Sequence, residues 1–216
     1  MENISPIVNY FTDQGVPLVT ATLLLMFPIV VTMIAFLRQV AGIKAFGIYT
    51  PSIIIFAFLA TGIKYGVALY VSIILMGMIV RFFLKKFRIL YLPRVAIMLS
   101  IVALAILLML TFGGTLKRTG LAAVSIFPLL IMITLVEKFV ATQIEKGGKT
   151  AFMLALETLL ISIAGYFLVN WPFLVKLVMG HPWIILLTIP INIALGKWAG
   201  LRISEYFRFR EVFKKM

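Results

Sequence analysis

The chain has no cysteine, and only 12% of its residues are charged. Histidine and aspartate occur once each, as His181 and Asp13. Each scarcity excludes chemistry. Without thiols there is no disulfide, no thiolate metal site and no cysteine nucleophile. A single histidine cannot supply a His-Glu-x-x-His zinc motif, and one beside Pro182 makes a poor partner for a nucleophilic serine. One aspartate cannot form an intramembrane aspartate pair. The chain also lacks a Gly-x-Ser-x-Gly elbow and a Walker sequence. These absences point to a non-catalytic protein that uses no metal or cofactor. Apolar residues are what the chain has in excess: 63% of 216 residues, against roughly half in a soluble domain. Lipid is the solvent such a composition implies.

A helix crossing the ~30 Å hydrocarbon core needs about 20 mostly apolar residues. Seven stretches qualify: Pro17–Leu37, Phe46–Thr61, Tyr65–Leu84, Leu92–Phe112, Gly120–Val140, Thr150–Val169 and Pro182–Leu195. The expected fold is therefore an all-α polytopic membrane protein with seven transmembrane helices. The second and seventh stretches are short, and the seventh contains Pro190 and Asn192. Short or proline-interrupted segments can be tilted, broken or re-entrant rather than simple rods. Residues 1–200 form the membrane domain and 201–216 a basic cytoplasmic tail. The start does not read as a cleavable signal, because it lacks a basic region and carries Glu2 and Asp13.

The cations orient the chain. With the N-terminus outside, sixteen of the twenty Lys and Arg residues fall inside, from Arg38 and Lys44 through the Arg81–Arg94 turn to Lys215. Only Lys64, Lys117, Arg118 and Lys176 fall outside. The positive-inside rule thus gives an outside N-terminus and a cytoplasmic C-terminus. It also accounts for the net charge of +13 without a nucleic-acid partner. In the tail, Tyr206, Phe209 and Phe213 share a helical stripe among basic residues. That pattern suits a helix lying on anionic headgroups, or a docking surface for a soluble partner.

Gly42-Ile-Lys-Ala-Phe-Gly-Ile-Tyr-Thr-Pro51 opens the second stretch, and Gly120-Leu-Ala-Ala-Val-Ser-Ile-Phe-Pro128 opens the fifth. Each leads into an apolar run, a Gly-Lys turn and another span. The pattern reads as a 1+3+3 inverted repeat, a plan common among transporters. Chance likeness between apolar stretches is the competing reading. Pro51 and Pro128 each lack an amide and free the carbonyl four residues back, at Gly47 and Val124. Freed carbonyls in lipid need a neighbour or water, so Thr50, Pro51 and Pro128 are candidate lining residues, with packed kinks as the alternative.

Glu157 lies about two turns into the sixth stretch, where a carboxylate should face protein or water. It reads as a proton-relay or cation-binding group, or as a structural hydrogen bond. Asn192 is a candidate partner or second lining group. Glu137 and Lys138 fall near the cytoplasmic end of the fifth stretch and read as an interface pair.

At Leu37-Arg-Gln-Val-Ala-Gly-Ile-Lys-Ala-Phe-Gly-Ile-Tyr-Thr-Pro51 and Gly200-Leu-Arg-Ile-Ser-Glu-Tyr-Phe-Arg-Phe-Arg210, the chain resembles a bacterial module. This is the seven-helix membrane domain usually fused behind an inactive transglutaminase-like domain. The soluble domain itself is not expected in this chain. A weaker similarity, from Gly42 to about Val169, is to the small membrane subunit of poly-γ-glutamate capsule synthases. Both resemblances imply a bacterial inner-membrane protein serving an ATP-grasp or other ATP-dependent amide ligase. They imply membrane lipids, the ligase and a polyanionic peptide product as partners. They supply no catalytic residue. The leading expectation is a subunit that anchors the ligase or exports its product. A secondary transporter using Glu157 is the second reading, and a membrane sensor or scaffold the third. Self-association into a homo-oligomer is compatible with all three.

Overall fold

A computed structural model describes residues 5–84, 86–87, 89–115 and 126–197. The helices are α1 (Pro6–Asp13), α2 (Leu18–Phe36), α3 (Tyr49–Thr61), α4 (Ile63–Leu84) and α5 (Tyr91–Thr115). They continue as α6 (Ile126–Lys146), α7 (Gly148–Val169), α8 (Pro172–Gly180) and α9 (Thr188–Gly196). A π-helical turn, Leu37–Ala41, ends α2, and a 3₁₀ turn, Pro182–Leu187, leads into α9. The basic tail 201–216 lies outside the described residues, as does most of the Gly120–Pro128 motif.

This is an all-α polytopic membrane protein. Among the described residues, four helical segments are long and apolar enough to cross a bilayer: Leu18–Ala41, Ile63–Leu84, Tyr91–Thr111 and Gly148–Val169. Pro172–Gly180 with Pro182–Gly196 makes a fifth if that pair is one span. The long helices are apolar on both faces. On α5, Val95, Met98, Val102 and Ile106 are buried while Ile97, Ile101, Leu104 and Leu108 are exposed. A surface this apolar suits lipid tails and would aggregate in water.

Several elements differ from the sequence expectation. The expected second span starts three residues later, and α3 has only 13 residues. At 1.5 Å per residue that is about 20 Å, short of the hydrocarbon thickness. The expected fifth span continues past Val140 to Lys146. The polar run from Ala141 to Lys146 stays helical, with the Thr142 hydroxyl donating to Lys138 O at 2.8 Å. The N-terminal tail holds α1, capped where Val8 N donates to Ser5 Oγ at 3.4 Å. The loop expected between the sixth and seventh spans contains α8. Between α8 and the following segment the axis bends by 102°, with Pro172 and Pro182 opening the two pieces. Proline is favoured there because the first helical amide has no partner to lose.

Packing divides the chain into two compact units. In the unit formed by Met1–Lys44 and Ala164–Met216, α2 packs against α1, α8 and α9. Ser5 N donates to Met179 O at 3.0 Å. The Asn192 side-chain amide donates to Thr32 Oγ1 and to Thr188 O, both at 2.7 Å. Thr32 in turn donates to Pro28 O at 2.8 Å. Pro28 sits inside α2, so this chain of bonds lies beside a break in the backbone ladder.

In the unit Ala45–Ile163, α6 packs against α3, α4 and α5, and α4 also packs against α3 and α5. Phe58 and Tyr70 meet edge to face, with centroids 6.5 Å apart. Phe46 and Phe139 do the same at 6.5 Å. The Tyr70 hydroxyl donates to Ala155 O on α7 at 2.8 Å.

Candidate functional site

The second unit carries two adjoining features: a buried polar seam along α7 and an open groove beside α3. The seam follows from sequence spacing. Ala151, Ala155, Thr158 and Ser162 recur at helical intervals and are all buried. Small residues on one stripe let other backbone approach closely, and hydroxyls at that surface form bonds across it. Phe46 N donates to Thr158 Oγ1 at 3.2 Å, while Thr158 donates to Leu154 O at 2.7 Å. Ser162 Oγ donates to Thr158 O at 2.8 Å, with Pro51 O a longer 3.4 Å away. The segment from Phe46 to Pro51 is thereby fastened to α7 at both ends.

The bend that delivers this segment needs glycine. Gly42 ends the π-helical turn with φ of 79°, and Gly47 has φ of 77°, both in the left-handed region that a Cβ disfavours. Gly47 N donates back to Ala45 O at 2.7 Å, which tightens the turn before α3.

Tyr49, Thr50, Ile53 and Ile54 of α3 face Ile131, Thr134, Leu135, Glu137 and Lys138 of α6 across a groove of about 130 Å³. Thr50, Thr134, Glu137 and Lys138 are its polar lining. Glu137 and Lys138 lie mid-helix rather than at a helix end, and both are exposed. The groove therefore offers an acid, a base and two hydroxyls, enough to hold a polar or zwitterionic group by hydrogen bonds. The Thr134 hydroxyl donates to Ile131 O at 2.6 Å rather than to Glu137 or Lys138. No group of three or more potential metal ligands occurs among the described residues.

The expected site residues are distributed as follows. Thr50 lines the groove. Pro51 is the third residue of α3 and is buried. Its missing amide falls in the first turn, where that amide would have had no helical acceptor, and Gly47 lies in the preceding turn rather than within a helix. Pro128 is buried in the first described turn of α6, and Val124 lies outside the described residues. Glu157 is half-buried on α7, next in sequence to Thr158. Asn192 is committed to Thr32 and Thr188 in the other unit. Sequence reasoning missed Thr158, Ser162, Tyr70, Tyr49 and Thr134. The Ala151-Ala155-Thr158 spacing beside Glu157 was the available signal.

Residues 15–213 match the model of a family described as 7 transmembrane helices usually fused to an inactive transglutaminase. No curated protein and no solved structure matches the chain.

Proposed function

The chain belongs to this family of seven-helix membrane domains, and from that premise we propose that it is a membrane subunit for a cytoplasmic ATP-dependent peptide or polyglutamate-type ligase. It is a non-catalytic multi-span domain, in keeping with a family whose usual fusion partner has itself lost activity. In this reading it sits in a bacterial inner membrane with seven spans, its N-terminus outside and its C-terminus in the cytoplasm. It holds the ligase at the cytoplasmic face or passes on the anionic product. Residues 201–216 contribute to that face as a basic tail, and a homo-oligomer is an admissible assembly.

The observation that carries the reading is the family match across residues 15–213. The likeness of the stretch from Gly42 to about Val169 to polyglutamate synthase subunits supports it. So does the groove, where Lys138 and the hydroxyls of Thr50 and Thr134 suit a carboxylate and Glu137 suits the amide N–H groups of the same peptide chain. Crosslinking in native membranes tests the proposal. Covalent adducts between the groove and an ATP-dependent ligase or its polymer are expected. Crosslinked membranes that yield neither overturn it.

One observation favours a second reading, that of a secondary transporter. The 102° break between α8 and the following segment resembles the discontinuous helices of transporters built from inverted repeats. Under that reading the chain carries a 1+3+3 repeat and Glu157 is the coupling carboxylate, with Pro51 and Pro128 at equivalent places. Solute uptake into proteoliposomes that disappears with Glu157→Gln supports it. Uptake insensitive to that change removes Glu157 from the mechanism.

A further inference from the structure

Neither the seam nor the groove uses two arginines beside the turn between α4 and α5 of the same unit. Arg81 lies in the last turn of α4 and Arg94 in the first turn of α5. Both are only half-buried. Arg81 Nη2 donates to Gln143 O of α6 at 3.1 Å, and Arg94 Nη2 to Ile89 O at 2.7 Å. The two flank the turn that joins α4 to α5, and those helices pack together, so both cations stand at the same end of that helix pair. Among the described residues neither has a carboxylate partner. Arg94 also stands at the positive end of the α5 dipole, in a turn without an acidic residue.

Two buried polar atoms here have no hydrogen-bond partner: Arg94 Nε and Gln143 Oε1. Gln143 is only 7% exposed, and such atoms nearly always find a partner in a native structure. The first needs an acceptor and the second a donor. Around them Phe82, Phe83, Phe87, Leu90, Tyr91 and Leu92 are exposed. An apolar and aromatic rim next to cations is the composition of a membrane–water interface.

We infer that Arg81, Arg94 and Gln143 form a site for the phosphodiester headgroup of an anionic phospholipid. The guanidinium N–H groups donate to the phosphate oxygens, a pairing strengthened by charge and by the planar fork of arginine. A headgroup hydroxyl, as on glycerol, donates to Gln143 Oε1. The acyl chains lie along the exposed apolar rim, which a free phosphate would leave unused. This inference does not depend on the ligase reading.

The test uses the full chain in nanodiscs of mixed phosphatidylglycerol and phosphatidylcholine, with bound lipid read by native mass spectrometry. Arg94→Gln and Arg81→Gln should each lower retained phosphatidylglycerol about tenfold, the scale of losing one hydrogen bond to a charged group. Lys149→Gln removes an equal charge elsewhere and should leave retention unchanged. Arg94→Lys keeps the charge and the fold but loses the fork, and should retain an intermediate amount. Retention within twofold of wild type in Arg94→Gln overturns the site. Equal loss in Lys149→Gln overturns it too, because attraction would then be general. In phosphatidylcholine discs, inorganic phosphate should not raise the melting temperature. A rise abolished by Arg94→Gln would make this a soluble-phosphate site and overturn the lipid assignment.

Discussion

Gly66→Ala tests the packing that holds α3 against α4. An ideal Cβ at Gly66 would lie 2.5 Å from Phe58 Cδ1 and 2.9 Å from Thr61 Oγ1, whereas ordinary carbon contacts begin near 3.5 Å. The ring must therefore retreat by about 1 Å. It has little room, because Phe58 is 0% exposed and meets Tyr70 edge to face, and Tyr70 is tied to α7. Overpacking of this kind costs about 1–3 kcal/mol. Replacing a helical glycine by alanine returns roughly 1 kcal/mol. The net expectation is a loss of about 0–2 kcal/mol from those two opposing effects. Gly77 is the internal comparison. Its Cβ would meet Val136 Cγ1 at 3.2 Å, a contact that a few tenths of an ångström relieves, so Gly77→Ala should be close to neutral. Reversible unfolding in mixed micelles would measure both. Adding Phe58→Leu to Gly66→Ala should cost less than the sum of the two single changes, since the clash disappears with the ring. Gly66→Ala at or above wild-type stability, with Gly77→Ala below it, would refute the reasoning.

Thr158→Val removes the acceptor of Phe46 N, and should cost about 1–2 kcal/mol for the amide left unpaired. Ser162→Ala should cost less, because its contact with Pro51 O is long; equal losses in thermal melts would count against the seam. Tyr70→Phe deletes only the hydroxyl bonded to Ala155 O, with an expected loss of about 0.5–1.5 kcal/mol. An unchanged midpoint would show that this bond does not tie α7 down. A double-mutant cycle between Asn192→Ala and Thr32→Ala should give a coupling near 0.6 kcal/mol, typical of polar pairs in membranes. Zero coupling would separate the two side chains.

The long spans were legible because their signal is bulk hydropathy. α4, α5 and α7 begin within two residues of the expected positions, since a run such as Tyr65–Leu84 admits no other structure in lipid. The boundaries that moved are those where polar residues join a helix. Hydropathy stops the fifth span at Val140, but Thr142, Gln143 and Lys146 continue it, and Arg81 of α4 bonds the Gln143 carbonyl near its end. That stabilisation comes from a residue 62 positions away in sequence, which no local pattern reports. The bent α8 segment was hidden for the opposite reason: Pro172–Gly180 is apolar, yet at nine residues it is too short to register as a span.

The same distinction explains which site residues could be read. Glu157 stood out because a carboxylate in an apolar run is conspicuous wherever it points. Thr158 and Ser162 did not, because a hydroxyl can satisfy itself on its own helix; both do so, through Leu154 O and Thr158 O. What sets them apart is the second bond, from Phe46 N or toward Pro51 O, and that depends on how the Gly42–Gly47 turn folds back. The Arg81–Arg94 pair shows the reverse case. Both were counted as orienting charges, a role that needs only their side of the membrane. Their place at one end of two packed helices, each donating to a carbonyl rather than a carboxylate among the described residues, emerges only once α4, α5 and α6 are packed. Charge that sets topology is fixed by number, whereas charge that binds a ligand is fixed by geometry. Only the first can be counted along a chain.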